Sequence, residues 1–306
     1  MKDLNFLVSL TTADNDYQAE QALAAEKAAR RLGVNIEIVY ADNDAVSQSQ
    51  QILKRIQTSS QRPDAILLEP VSVTAMPQVA RAALAANVGW VVLNAYPGYV
   101  TEMRNGYRAP LCAITSDHEE IGRIQGRQIG ALLPNGGCVL HIQGPSGSSA
   151  ASERTSGALQ TKPSNIQFRS LKGQWTEASS FKAVSSWVSL STSRDTRIDA
   201  IAAQDDSMAI GARRAFEACA KADEQKRLLA LPFLGCDGLP ETGQSWVRNG
   251  LLRATVFVPP NTDLALQVLV ESLRNGTQPA ERTFTTPQSF PSLAELSLKK
   301  SATTGF

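Results

Sequence analysis

Short, continuously apolar runs alternate with longer amphipathic stretches along almost the whole chain, and this alternation restricts the fold more than any other feature. Residues 4–10 predict a buried strand, and the Ala-rich stretch 18–32 predicts a helix stopped by Gly33. Residues 34–40, 65–68 and 89–93 predict further strands, with helices over 46–58 and 73–86 between them. A Pro-, Gly- and Asn-bearing stretch at 95–110 reads as a loop. Beyond it the alternation resumes, with strands at 111–115, 138–142, 166–171, 198–203, 230–236 and 253–258. Helices are expected over 119–132, 150–160, about 181–190, 208–222, 242–249 and 262–274, the last closed by Asn275 and Gly276. Apolar strands of this length separated by helices mean parallel sheet covered on both faces, and right-handed crossovers make such sheets doubly wound. The number of units exceeds one open sheet, and 306 residues suit two domains, so an α/β chain of two sheets is expected. On pattern alone, the 95–110 loop is the natural border.

Composition removes several classes of function. A formal net charge of +1 creates no global field for nucleic acid or an anionic membrane. The longest apolar runs have strand length, far short of the roughly 20 residues of a membrane helix. MKDLNFLVSL carries no basic n-region, h-region and cleavage site, so the expectation is either a cytosolic protein or a leader preceding this sequence. Cys112, Cys138, Cys219 and Cys236 form no CxxC pair, and buried free thiols are expected rather than a metal site or disulfide framework. Unpaired thiols weigh slightly against an oxidising compartment.

In doubly wound sheets, ligands sit beyond the carboxyl ends of the strands. Those ends carry no P-loop and no GxGxxG; ADND stands at the first strand–helix turn. GPSGSSAASERTSG, after the 138–142 strand, reads as a loop with Ser148 or Ser149 as helix cap, and it holds no GxSxG elbow. His118 and His141 stand in no recognisable triad. No catalytic residue, metal or cofactor is therefore expected. Asp205 and Asp206 lie between a strand and a helix; Asp206 suits the cap, which leaves Asp205 as a ligand acceptor. Asp237 stands at another strand end beside Gly238, where a carboxylate can take two hydroxyl hydrogen bonds. Paired aspartates also occur in glycosidases, the enzymatic alternative. Tyr17 and Trp175 are aromatics expected near the same rim, and flat rings suit the apolar face of a sugar.

LVSLTTADNDY, ILLEPVS, ITSDHEEIGRIQGRQIG, LHIQGPSGSSAASERTSG, AQDDSMAIGARRAFEACAK and LGCDGLPE together resemble the type I periplasmic binding proteins of sugar ABC transporters, the ribose-binding-protein group, which shares its fold with LacI-type ligand cores. The resemblance runs from Leu4 to about Phe284. It implies two doubly wound lobes joined by a three-strand hinge, residues 1–115 with 259–285 and residues 116–258 with 286–306, that close on a ligand in the cleft between them. By position, Asn15 and Tyr17 fall on the first ligand-facing loop, Trp175 on an aromatic stacking position, Asp205 on an amide position and Asp237 on the family's main hydroxyl-binding aspartate. The chain departs from the pattern at several of these ends. Asn94 and Ala95 replace an acidic–arginine pair, Ser152 replaces an arginine with Arg154 two residues later, and Val258 replaces a glutamine.

The expected function is binding of a sugar or sugar-like polyol as the solute-binding component of an ABC importer. The expected form is a monomer outside the cytoplasmic membrane, with a permease as partner and no nucleic acid. The alternative is a ligand-sensing domain of a signalling or transcription-regulatory protein, cytoplasmic in the latter case. The polar tail 292–306 is expected to form a short helix near 293–296 and then a loosely held end.

Overall fold

The computed structural model describes residues 4–13, 16–58, 62–190, 197–219 and 221–298. The chain divides into two compact units, Met1–Ser116 with Pro259–Thr285, and Asp117–Val258 with Thr286–Phe306. It passes from one unit to the other after Ser116, Val258 and Thr285. The 95–110 loop is not the border, because it lies within the first unit and packs into its core.

The first unit is built on strands β1 (Asn5–Leu10), β2 (Asn35–Tyr40), β3 (Ala65–Leu68), β4 (Gly89–Leu93), β5 (Leu111–Ser116) and β11 (Arg282–Thr285). They form one parallel sheet in the order β11-β5-β4-β3-β1-β2. Successive side chains point to opposite faces, so the apolar runs feed two cores. Leu7, Ile66, Leu68, Trp90 and Val92 meet helices α2 (Ala45–Gln57), α3 (Pro77–Ala85) and α4 (Gly98–Met103). Phe6, Val8, Leu67, Val91 and Leu93 meet α1 (Asp16–Leu32) and α11 (Asn261–Asn275) on the other side. Helix α4 forms inside the expected loop because Tyr99, Val100 and Met103 bury against the sheet, where Trp90 Nε1 donates to the Tyr99 hydroxyl at 3.2 Å. The predicted 73–86 helix is a 3-10 turn at Val73–Ala75 followed by α3, which Pro77 starts at its first position.

The second unit holds the parallel sheet β7-β6-β8-β9, with β6 (Gly137–Gln143), β7 (Ile166–Lys172), β8 (Ala200–Ala203) and β9 (Phe233–Leu234). Parallel bridges at Leu234–Ala254 and Asp237–Phe257 continue it toward β10 (Thr255–Phe257). Unlike the other strands, β10 pairs antiparallel with β12 (Gln288–Phe290). The helices are α5 (His118–Leu132), α6 (Ser149–Thr161), α7 (Glu177–Ser189), α8 (Asp206–Glu217), α9 (Ala222–Leu229), α10 (Gly243–Arg248) and α12 (Leu293–Leu298). The expected 208–222 helix ends at Glu217, and Cys219 lies beyond it. The helix foreseen near 293–296 is α12; Leu296 is buried against Ile129 and Val139. The final segment expected to be loosely held, from Lys299, lies outside the described residues. No described helix is long and apolar enough to cross a membrane.

Candidate functional site

In the second unit, three residues singled out by sequence, Arg154, Trp175 and Asp237, gather beyond the carboxyl ends of the strands. Arg154, on α6, is the central one, with a side chain only 9 % exposed. Its Nη1 donates to the Gln204 carbonyl and lies 3.8 Å from Asp237 Oδ1, an ion-pair distance beyond a direct hydrogen bond. Its guanidinium carbon stands 5.5 Å from the centre of the Trp175 ring, within reach of cation–π attraction. Asp237 keeps 23 % of its side chain exposed, follows β9 and bonds through its backbone to Val256 and Val258. Trp175 is half-buried rather than free-standing. A Cβ placed on Gly144 would lie 2.2 Å from its Cζ2, so glycine is what lets the indole lie there. Both Asp237 (φ 99°) and Trp175 (φ 59°) occupy the left-handed region, which disfavours side chains.

The cap expected at Asp206 is formed by Asp205, and Asp206 is buried. Asp205, not Asp206, is the N-cap of α8: it has extended backbone (φ −144°, ψ 166°), and its carboxylate accepts from Met208 N–H. Asp206 is the first helical residue and turns inward, with Oδ2 accepting from Gly238 N–H and Oδ1 from the Thr255 hydroxyl, each at 2.7 Å. Asp206 is held there by Gly238 and Thr255, 32 and 49 residues away, so packing against the sheet leaves Asp205 as the extended cap. Burial pushes Asp205 up to about 6, against the Met208 hydrogen bond and the attraction of Arg154.

Gln204, which directly follows β8, organises this region. Its Oε1 accepts from Gly144 N–H at 2.9 Å, and its Nε2 donates to Ala151 O at 3.0 Å and Thr155 Oγ1 at 2.9 Å. It thereby ties β8 to the Gly-rich loop and the first turns of α6, where Ser148 is the cap. Ser152 on that helix is exposed, whereas Arg154 points inward, so the structure gathers only Arg154 with Asp237 and Trp175. Val258 is buried at 1 % exposure and contributes its N–H to the Asp237 carbonyl at 2.9 Å rather than a polar side chain.

In the first unit, Asn94 follows β4 with φ 57°. Its Nδ2 lies 3.3 Å from Glu69 Oε1, and its Oδ1 is buried without a hydrogen-bond partner among the described residues. Glu69, after β3, also accepts from Gln21 Nε2 at 3.4 Å. Desolvation raises its pKa, opposed by hydrogen bonds from Gln18, Asn94 and Gln21. A carboxylate thus stands one strand away from the position that carries Asn94. It was legible as a strand end, but its pairing with Asn94 depends on sheet order. The Tyr17 hydroxyl donates to Pro259 O at 3.3 Å. Asn15 lies outside the described residues.

No three His, Cys, Asp or Glu side chains gather in a metal-binding group among the described residues. The arrangement offers carboxylate acceptors, a guanidinium donor and an aromatic wall, a set suited to hydroxyl groups on a compact ring.

Comparison with known proteins agrees with this architecture. The ribose import binding protein of Escherichia coli (strain K12) is 29 % identical over 262 residues, which is 85 % of this chain and 80 % of that protein. The periplasmic solute-binding protein of an ABC transporter from Actinobacillus succinogenes, solved with bound D-allose, superposes with a TM-score of 0.81 at 17 % identity, covering 97 % of this chain and all of that one (100 %). The binding component of the arabinose ABC transporter from Shewanella sp. ANA-3 gives a TM-score of 0.79 at 20 % identity, over 98 % and 97 % of the two chains. A family model described as periplasmic binding protein domain matches residues 6–277, and the chain belongs to that family.

Proposed function

We propose that this chain is the solute-binding component of an ABC importer for a sugar or sugar-like polyol, and that it binds its ligand without chemical turnover. The observation that carries the reading is the Arg154–Asp237–Trp175 constellation at the carboxyl ends of the second unit's strands. A vicinal diol can give two hydroxyl protons to Asp237 and accept from Arg154, and the indole edge adds an apolar wall. Within the first unit, Glu69 and Asn94 form a separate polar pair at strand ends. The relatives support this reading: ribose import for the Escherichia coli protein, and bound allose and arabinofuranose in the two structures. The same names support an extracytoplasmic site of action, with a membrane permease as partner. The monomer remains the expected working form.

A thermal-shift screen of pentoses, hexoses, furanoses, inositols and linear polyols, followed by calorimetry on any hit, tests the proposal. Ligand at a hundredfold excess over Kd stabilises the folded state by about 2.7 kcal/mol, a shift such a screen resolves. Stabilisation by amino acids or nucleotides with none by any polyol would refute the sugar reading. Release of altered product from a hit would refute the claim of binding without turnover.

A further inference from the structure

Asp206 is 3 % exposed, and both its oxygens are committed inside the protein. Glycines shape its surroundings. A Cβ on Gly235 would lie 2.0 Å from Oδ1, and one on Gly243 would lie 2.0 Å from Oδ2. One carboxyl group therefore joins the start of α8 to the turn 235–238 and, through Thr255, to β10, with the first residue of α10 lying close against it. That turn is the one that needs holding. Asp237 has φ 99° and Gly238 has φ 57°, and a Cβ on Gly238 would stand 2.6 Å from Phe257 Cα. A non-glycine residue in the left-handed region persists only where its surroundings over-determine it. The hydrogen bond from Gly238 N–H to Asp206 falls on the peptide group directly after Asp237.

We propose that Asp206 is the positioning residue of the binding site, locking the 235–238 turn so that the Asp237 carboxylate is presented to ligand. This rests on the reading of Asp237 as a ligand contact. The groups facing Asp206 are Asp205 beside it, Arg154 from α6 and Cys236 from the turn; Thr255 on β10 and Gly243 on α10 are uncharged. Burial pushes Asp206 up to about 8, Asp205 adds to the rise, and the Thr255 and Gly238 hydrogen bonds and Arg154 oppose it. Asp206 accepts from Gly238 N–H at Oδ2 and from the Thr255 hydroxyl at Oδ1. Asparagine keeps an oxygen acceptor for Gly238 N–H and presents an amide donor to Thr255 Oγ1, and alanine removes both bonds.

The test uses backbone amide resonances of the ligand-free full chain, in the native sequence, Asp206→Ala and Asp206→Asn. In Asp206→Ala the Gly238 amide should exchange at least about tenfold faster, and the Asp237 and Gly238 resonances should move. In Asp206→Asn both should stay near native values at pH 7. The native Gly238 amide shift should titrate with a midpoint near 8, and Asp206→Asn should abolish that titration. Unchanged Gly238 and Asp237 resonances and exchange in Asp206→Ala would overturn the proposal. If Asp206→Ala fails to fold, a native Gly238 amide that exchanges as fast as an unprotected amide would overturn it. Unchanged binding of the screening hit by Asp237→Ala would instead remove Asp237 as a contact and leave these amide readouts as they are, so the two failures are distinguishable.

Discussion

A carboxylate at a strand end is worth most to a ligand where water is excluded, because hydrogen bonds to a charged acceptor then contribute about 1.5–3 kcal/mol. Asp237→Ala should therefore weaken binding of the screening hit by about 10- to 100-fold in calorimetry, with the melting temperature nearly unchanged. Its left-handed backbone adds a second readout. Asp237→Gly should lose the same affinity yet unfold about 1 kcal/mol less readily than Asp237→Ala in denaturant titration, because glycine adopts φ 99° without strain. Glu69 presents the complementary case in the first unit. Glu69→Gln keeps the shape but gives up the charged acceptor, and a roughly tenfold loss of affinity is expected from about 1.4 kcal/mol. Equal affinity of Glu69→Gln and native protein would take Glu69 out of the site. At this scale the sequence marked Asp237 and Trp175 by their places near strand ends, and Arg154 through the family resemblance. Position could not show that Arg154 faces inward while Ser152 two residues earlier faces solvent, because that depends on which side of α6 meets the sheet.

Between elements, the contact of α5 with α6 is set by glycine. A Cβ on Gly157 would lie 1.9 Å from Glu119 O, and one on Gly122 would lie 2.0 Å from Arg154 O. The backbones approach so closely that no side chain fits between them. Gly157→Ala must push α6 outward; it should cost about 3 kcal/mol and lower the melting temperature by roughly 10 °C. Because Arg154 rides on the same helix, ligand affinity of the folded fraction should fall as well. Full affinity in a destabilised Gly157→Ala protein would show that Arg154 does not depend on this contact. The long helices and apolar strands were legible from periodicity, and so were the stops at Gly33 and Gly276 (φ 64° and 66°). Helix α9 was not, since ADEQKRLL buries only Leu228 and carries almost no apolar stripe. Nor was β12, whose three residues form a strand only because β10 lies alongside them.

Across the whole molecule, two buried groups of the second unit bend the pH dependence of stability in opposite directions. Burial among apolar strands, with a lesser contribution from Lys172, lowers His141 to about 4. Its contribution is fully present above the unfolded value near 6.5 and is lost as pH falls toward 4, because the unfolded chain takes up the proton first. Asp206 acts the other way: its native form keeps the proton up to about 8, so its contribution is complete below about 4 and is lost as pH rises through 8. Between about pH 4 and 6.5 the two slopes oppose each other, and from about 6.5 to 8 the decline due to Asp206 stands without that of His141. Denaturant unfolding should show that decline in the native protein and not in Asp206→Asn, and an unchanged slope between about pH 6.5 and 8 in that variant would contradict the assignment.

By itself, the sequence determined the α/β class, most strands and helices, and the strand ends that carry polar chemistry. These follow from local periodicity and capping, which act over a few residues. The tertiary structure alone decided which neighbouring aspartate caps α8 and which is buried. Asp206 finds Gly238 and Thr255 across 32 and 49 residues of chain. Contacts of that separation are set by sheet order and helix packing, and no local pattern records them.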